Sequence, residues 1–343
     1  MSGANLVDAY TSSEELSAFQ QRKDRDAPSL LHDLGTLHDL IFEEVEDELR
    51  QQYILGEIDS FWTVVRWLSG EPMLYSEIVE GIFNIPMRGF HPREVSRRTD
   101  ELADMMSKYP GETVNEKVAL FHTEGMVSGA DLQSLISEDL QSRSSDVGEM
   151  FKKHVYSYIG NEVNDNGVEY RCVNNKPWSG YNWYQKGFKS LNEFNIDRPF
   201  NRDTLHSVIY HEYEHHVSNL WREQAFRETG NLELSVVPMH TGRCVISEGT
   251  ADTAKDFLGV VDDDERTRIS NSIYIINRMT AINAAIMLNA EKNTMDEAVD
   301  YLMSDGLRTE TAARGGLAFI QPKQTDGRPN FYAPYVFTYY FGR

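Results

Sequence analysis

The run HEYEHH, residues 211 to 216, puts three histidines and two glutamates into six positions. His211 and His215 are four apart, so on a helix both imidazoles project from one face and can hold one metal ion. Glu212 follows the first histidine and turns toward the open side of such a site, where it can take a proton from bound water. A catalytic zinc needs a third protein ligand. Glu248 in SEGTAD is the candidate, with 32 residues between it and His215. Asp252 lies one further helical turn on, where its carboxylate can accept the free ring N–H of a metal-bound histidine and hold its tautomer.

Other residues fit around that core. The oxyanion that develops at an attacked carbonyl needs donors besides the metal. Tyr332, Tyr335, Tyr339 and Tyr340 in the tail are candidates, and His240 is another substrate-side candidate. Arg314 in ETAARGGLAF could grip a substrate carboxylate with its two-pronged guanidinium. His216 and Glu214 can simply sit at the helix edge, and His206 reads as structural. Cys172 and Cys244 read as small core residues.

The pairing of H-E-x-x-H with E-x-x-x-D resembles the thermolysin-like gluzincin metallopeptidases, whose two histidines and glutamate bind zinc. The order of elements is similar to the domain-of-unknown-function 885 proteins and, more distantly, to the zinc carboxypeptidases of the Taq type. The matching pieces are HEYEHH, SEGTAD, the helical tract from about Ile269 to Ala318, and APYVFTYYFGR, so the resemblance covers roughly Leu191 to Arg343. Two positions depart from it: Tyr213-Glu214 stands where that family has Pro-Gly, and EGTA stands for EGWA. The resemblance implies a zincin-like, two-lobed helical architecture with a cleft between the lobes and a tail tyrosine or histidine reaching across it, which favours Tyr335 or Tyr339 among the tail tyrosines.

The elements that must position these groups are mostly helical. LHDLIFEEVEDELRQQY and IDSFWTVVRWLSG carry apolar residues at three- and four-residue spacing, and FHPREVSRRTDELADMMSKYPGE opens and closes with proline signals. ADLQSLISEDLQSRSSDVGEMFKKHVYSYIGNEV predicts two more amphipathic helices. Between Asn164 and Pro199 the chain turns rich in aromatics, Asn and Gly, with turn signals at Asn166-Gly167 and Pro177 to Gly180, and predicts two or three short strands. FKSLNEFN is expected as an edge strand that could align an extended peptide. The fold class is therefore mainly α (α+β), with a small β-sheet before the HExxH helix. An N-terminal helical region over 1–160 and a zincin-like catalytic region over 161–343 are expected.

With 343 residues the chain exceeds the ~250–300 at which one hydrophobic core stops growing. Thirty-three basic against 54 acidic residues give a net charge of −21, which opposes binding to nucleic acid or an anionic membrane. No apolar run approaches the ~18 residues of a membrane span, the start does not read as a signal peptide, and two cysteines exclude a disulfide framework. A cytoplasmic setting is expected. The expected function is a zinc metallopeptidase, one ion per chain, cleaving peptide or amide bonds in small peptides by Glu212-assisted attack of zinc-bound water. The alternatives are a metal-dependent enzyme acting on a small biosynthetic metabolite, and a non-catalytic, metal-stabilised binding scaffold.

Overall fold

The structure is a computed structural model that describes residues 7–10, 25–159, 163–176, 179–262 and 264–343. The stretch read against a signal peptide lies mainly outside them, as does part of the turn expected at Pro177 to Gly180.

The fold is mainly helical with small β-sheets. Helices α1 (Ala27–Glu44), α2 (Glu48–Leu68), α3 (Tyr75–Phe83), α4 (Pro92–Met105) and α5 (Val114–Gly125) form the first part. The helical stretch LHDLIFEEVEDELRQQY is shared between two helices that part at Val45, because the Asp47 carboxylate accepts from the Arg50 backbone N–H at 2.8 Å and starts a new helix. Helices α6 (Gly129–Ser134) and α7 (Gln141–His154) follow, joined by a π-helical segment over Leu135–Leu140, and then the short α8 (Tyr156–Ile159).

Strand β1 (Val7–Tyr10) pairs antiparallel with β7 (Val236–Pro238), and β2 (Met126–Val127) with β6 (Phe200–Asn201). The main sheet has three strands, β3 (Val168–Val173), β4 (Gly180–Tyr184) and β5 (Ser190–Asn195), in the order β3-β5-β4. β5 runs parallel to β3 and antiparallel to β4. FKSLNEFN is therefore not an edge strand: β5 is central because its residues are buried on both faces, and β3 and β4 hold the edges.

Directly after the sheet comes the 28-residue helix α9 (Arg202–Thr229). The Asn201 side chain caps its start, and Gly230, at φ 71°, closes it in the left-handed conformation that glycine adopts without strain. Helices α10 (Gly242–Asp252), α11 (Ala254–Phe257), α12 (Glu265–Asn289), α13 (Met295–Ser304), α14 (Glu310–Ile320) and α15 (Thr338–Phe341) complete the chain.

Apolar packing joins early and late segments. Leu132, Ile136 and Phe151 pack with Val168, Phe194, Leu205 and Tyr213. Val64 and Ile82 meet Val245 and Phe331, while Leu102 and Phe121 meet Ile269 and Ile276. Each such fully buried side chain contributes roughly 1.5–3 kcal/mol by leaving water. The first of these clusters packs α9 against the sheet, and side-chain bonds from His211 to Asp252 and from His215 to Ser247 tie its other side to the helix that follows.

Candidate metal centre

α9 is wrapped on most sides, and its two faces do different work. Leu205, Ile209, Tyr213, His216 and Leu220 are buried, while His211, Glu212 and His215 line a cavity of about 540 Å³. Helix α10 supplies the facing wall. His211, His215 and Glu248 each offer one ligand atom, all within 4.8 Å of one another.

The two Nε2 atoms are 3.1 Å apart, and Glu248 Oε2 lies 3.5 Å from His211 Nε2 and 4.0 Å from His215 Nε2. Bonds of about 2.0–2.2 Å in a tetrahedral shell would separate ligand atoms by roughly 3.3–3.5 Å. The donors are thus spaced almost as the shell requires. Glu248 Oε2 is buried without a hydrogen-bond partner. An orphaned carboxylate oxygen aimed at two ring nitrogens is costly unless something positive sits among them. These residues fit a divalent metal.

The outer atoms of all three ligands are held. His211 Nδ1 is 2.9 Å from Asp252 Oδ1, and the Tyr274 hydroxyl donates to Asp252 Oδ2 at 3.0 Å. His215 Nδ1 is 3.3 Å from Ser247 Oγ. Glu248 Oε1 accepts from the Tyr335 hydroxyl at 2.8 Å. Such partners orient ligands and fix the imidazole tautomer.

Charge follows the same geometry. Burial opposes a proton on His211, but Asp252 and Glu248 outweigh it and hold this imidazole well above its ordinary value. Burial and the neighbouring His211 charge push His215 down to about 4. Burial opposes ionisation of Glu248 too, yet His211, His215 and Tyr335 bring it down to about 2. Burial and the Glu248 charge raise Tyr335 far above a normal phenol, so its hydroxyl stays a donor.

Tyr335, Tyr339 and Tyr332 line the cavity. Tyr340 does not; its ring packs on Phe90 at 4.5 Å in the apolar interior. His240 is also outside the lining. It is fully buried, stacked on Phe331 with ring centroids 3.6 Å apart, with Nε2 2.6 Å from the Phe331 carbonyl oxygen. It therefore has no surface to offer a substrate. Arg314 is exposed and bonded to Glu310 and Asp296, away from the cavity, because its turn of α14 faces outward. The arginines that line the cavity are Arg198 and Arg243.

His216 faces away from the ligands. Its Nδ1 is 2.9 Å from Ser190 Oγ and its Nε2 2.9 Å from Asp165 Oδ1. That Ser-His-Asp order has the look of a hydrolytic triad, but Ser190 and His216 are both fully buried and the array works as a strut between β5 and α9. His206 binds Asp139. Cys172 and Cys244 are free thiols. Sequence reasoning missed Tyr274 and Arg278, one helical turn apart on α12. The half-buried Arg278 guanidinium lies 4.6 Å from the Tyr274 ring centroid and 4.0 Å from that of Tyr339. Their four-residue spacing was the only available signal.

The tail is seated by two glycines. A Cβ on Gly249 would fall 1.9 Å from the Gly342 carbonyl oxygen, and one on Gly342 would fall 1.8 Å from that of Val245. This close backbone approach clamps the tyrosine-bearing segment onto the helix that carries Glu248.

No family model and no curated protein matches the chain, so the likeness to domain-of-unknown-function 885 proteins rests on its motifs. Solved structures do match. A "putative lipoprotein" from Colwellia psychrerythraea superposes with a TM-score of 0.52 at 12% identity, over 90% of this chain and 58% of that one. A "putative lipoprotein of unknown function" from Shewanella oneidensis gives 0.53 at 11% identity, over 95% and 67%. The chain shares their fold. It spans a little over half the length of the first, and at these identities the likeness concerns fold alone. Among the described residues no helix is long and apolar enough to cross a membrane.

Proposed function

We propose that the protein is a zinc-dependent hydrolase that cleaves peptide or amide bonds in small substrates. The observation that carries this reading is the unpartnered, buried Glu248 Oε2 facing the Nε2 atoms of both His211 and His215. A His-His-Glu set is the donor chemistry of catalytic zinc, which when bound polarises a carbonyl and acidifies water. Glu212, on the wall of the same cavity, takes the proton of the attacking water and hands it to the leaving amine. Tyr339, which also lines the cavity, donates to the developing oxyanion, since the single O–H of Tyr335 is given to Glu248. The outer strand β4, whose Gly180 to Asn182 also line the cavity, offers main-chain groups to an extended peptide. A volume near 540 Å³ suits a small ligand.

The same modest volume favours, as a second reading, metal-assisted chemistry on a small metabolite. A scaffold without catalysis has no use for Glu212 in the cavity wall. For compartment the cues diverge: few cysteines suit a reducing interior, while the structural neighbours carry lipoprotein names. Cell fractionation decides it.

The test pairs metal analysis with a panel of di- and tripeptides. The wild type should carry about one zinc per chain and hydrolyse part of the panel. Glu212→Gln should keep the metal and lose activity by about 10²–10⁴-fold. Glu248→Ala and His211→Ala should lose both. A wild type that takes up no metal even on reconstitution overturns the reading, and one that binds metal but cleaves no peptide moves the metabolite reading forward.

A further inference from the structure

One wall of the cavity has no role in the chemistry above. Helices α9 and α10 run antiparallel, since His211 pairs with Asp252, His215 with Ser247, and Arg222 interacts with Arg243. Asn219 on α9 and Arg243 on α10 therefore lie on the same side of the metal ligands, and both line the cavity.

Each is set up to meet an anion. Asn219 Oδ1 accepts from Arg222 Nη2 at 2.7 Å, which leaves the Asn219 NH₂ to donate. Arg222 is itself 3% exposed and is also bonded to the Leu234 carbonyl. Among the described residues no hydrogen bond or ion pair engages the Arg243 guanidinium. The carboxyl of Glu57 interacts with Arg243, but burial pushes Glu57 up to about 7, so it is only partly charged at neutral pH. Burial, and after it the neighbouring Arg243 charge, brings Arg222 down to about 9. A cation lining a cavity, with a second behind it and only the buried carboxyls of Glu57 and Glu214 near enough to feel its charge, neither of them hydrogen-bonded to the guanidinium, is complementary to an anion from solvent.

We infer that Arg243, with the Asn219 amide on the facing helix, forms the subsite for a substrate carboxylate. The assignment rests on the hydrolase reading for its meaning and gives that reading a substrate class. Arg243 precedes Glu248 by five residues, about 7.5 Å along the helix. One or two residues of extended peptide span about 3.5–7 Å. The preferred substrates are short peptides with a carboxylate one or two residues beyond the scissile bond.

Binding separates this subsite from catalysis. N-acetyl-trialanine and its C-terminal amide are titrated calorimetrically into metal-loaded Glu212→Gln protein, which cannot turn them over. The free acid should bind at least tenfold more tightly. Adding Arg243→Ala should abolish the difference without weakening the amide, and Arg243→Lys should restore part of it. Circular dichroism and metal content establish that each variant is folded and loaded. A C-terminally amidated peptide with an internal aspartate tells the two carboxylate sources apart: tight binding assigns the subsite to an acidic side chain, weak binding to the chain terminus. Equal binding of acid and amide, no binding of either at millimolar concentration, or a preference that survives Arg243→Ala overturns the inference. An acid preference in a protein that hydrolyses no peptide would sink the hydrolase reading and leave the subsite standing.

Discussion

The Tyr335 hydroxyl donates to Glu248 Oε1 at 2.8 Å, so the tail of the chain holds the third ligand from behind while Glu248 Oε2 faces the histidines. The tail is thus part of the metal centre as well as the cavity wall.

Tyr335→Phe removes that bond and keeps the ring against Phe83. Metal should still bind at one ion per chain, but up to about tenfold more weakly, with a stability loss of about 1 kcal/mol. A chelator-competition titration measures the first and thermal unfolding the second. Unchanged affinity would show that Glu248 needs no help from the tail.

Metal uptake should depend on pH through His211. Its proton, held by Asp252 and Glu248 above the ordinary value of 6.5, must leave before the ring can ligate. Apparent affinity therefore rises with pH, and the competition persists above 6.5. Asp252→Asn should lower affinity by about 10–100-fold at high pH and move the dependence downward, because the carboxylate that retains the proton is gone. Calorimetry in buffers of different ionisation enthalpy counts the protons released.

Gly249→Ala should lift the tail, since the new Cβ meets backbone that cannot rotate away. A loss of about 1–3 kcal/mol is expected. Gly315→Ala is the control: it sits exposed in α14 with nothing within 4 Å of an added Cβ, and should gain about 0.5–1 kcal/mol. Denaturant melts of both variants compare the two outcomes directly.

Asp165 ties the strut together, bonding His216, Tyr156, Tyr213 and the Gly167 N–H. Burial opposes its ionisation, but these partners depress its pKa below the usual 3.8. Because the folded value is the lower one, the stabilisation is present above pH 3.8 and fades as pH falls through the folded value. Asp165→Asn should cost about 2–4 kcal/mol at neutral pH, and the gap to wild type should close in acid. Urea melts at several pH values give the curve, and a constant gap would show that the charge is irrelevant.

Residues 211 to 216 carried their own geometry. On any helix, positions four apart share a face, so the two histidines were legible as a pair, and Glu212 beside them as a base. Proline, glycine and cap residues marked most helices, and the aromatic, glycine-rich stretch marked the sheet. The order of strands inside it was not legible: two short strands of similar composition differ only in how many neighbours they find, and β5 proved central where an edge was expected.

Long-range matters needed the tertiary structure. Glu248 was a guess across 32 residues until the antiparallel packing of α9 and α10 brought its oxygen to 3.5 Å from His211. Sequence singled out Arg314 and His240 by type, yet one faces solvent and the other is sealed behind Phe331, while Arg243 lines the cavity. Local sequence sets which residues share a helix face. Only the packing of one helix on another decides which of those faces looks into the site.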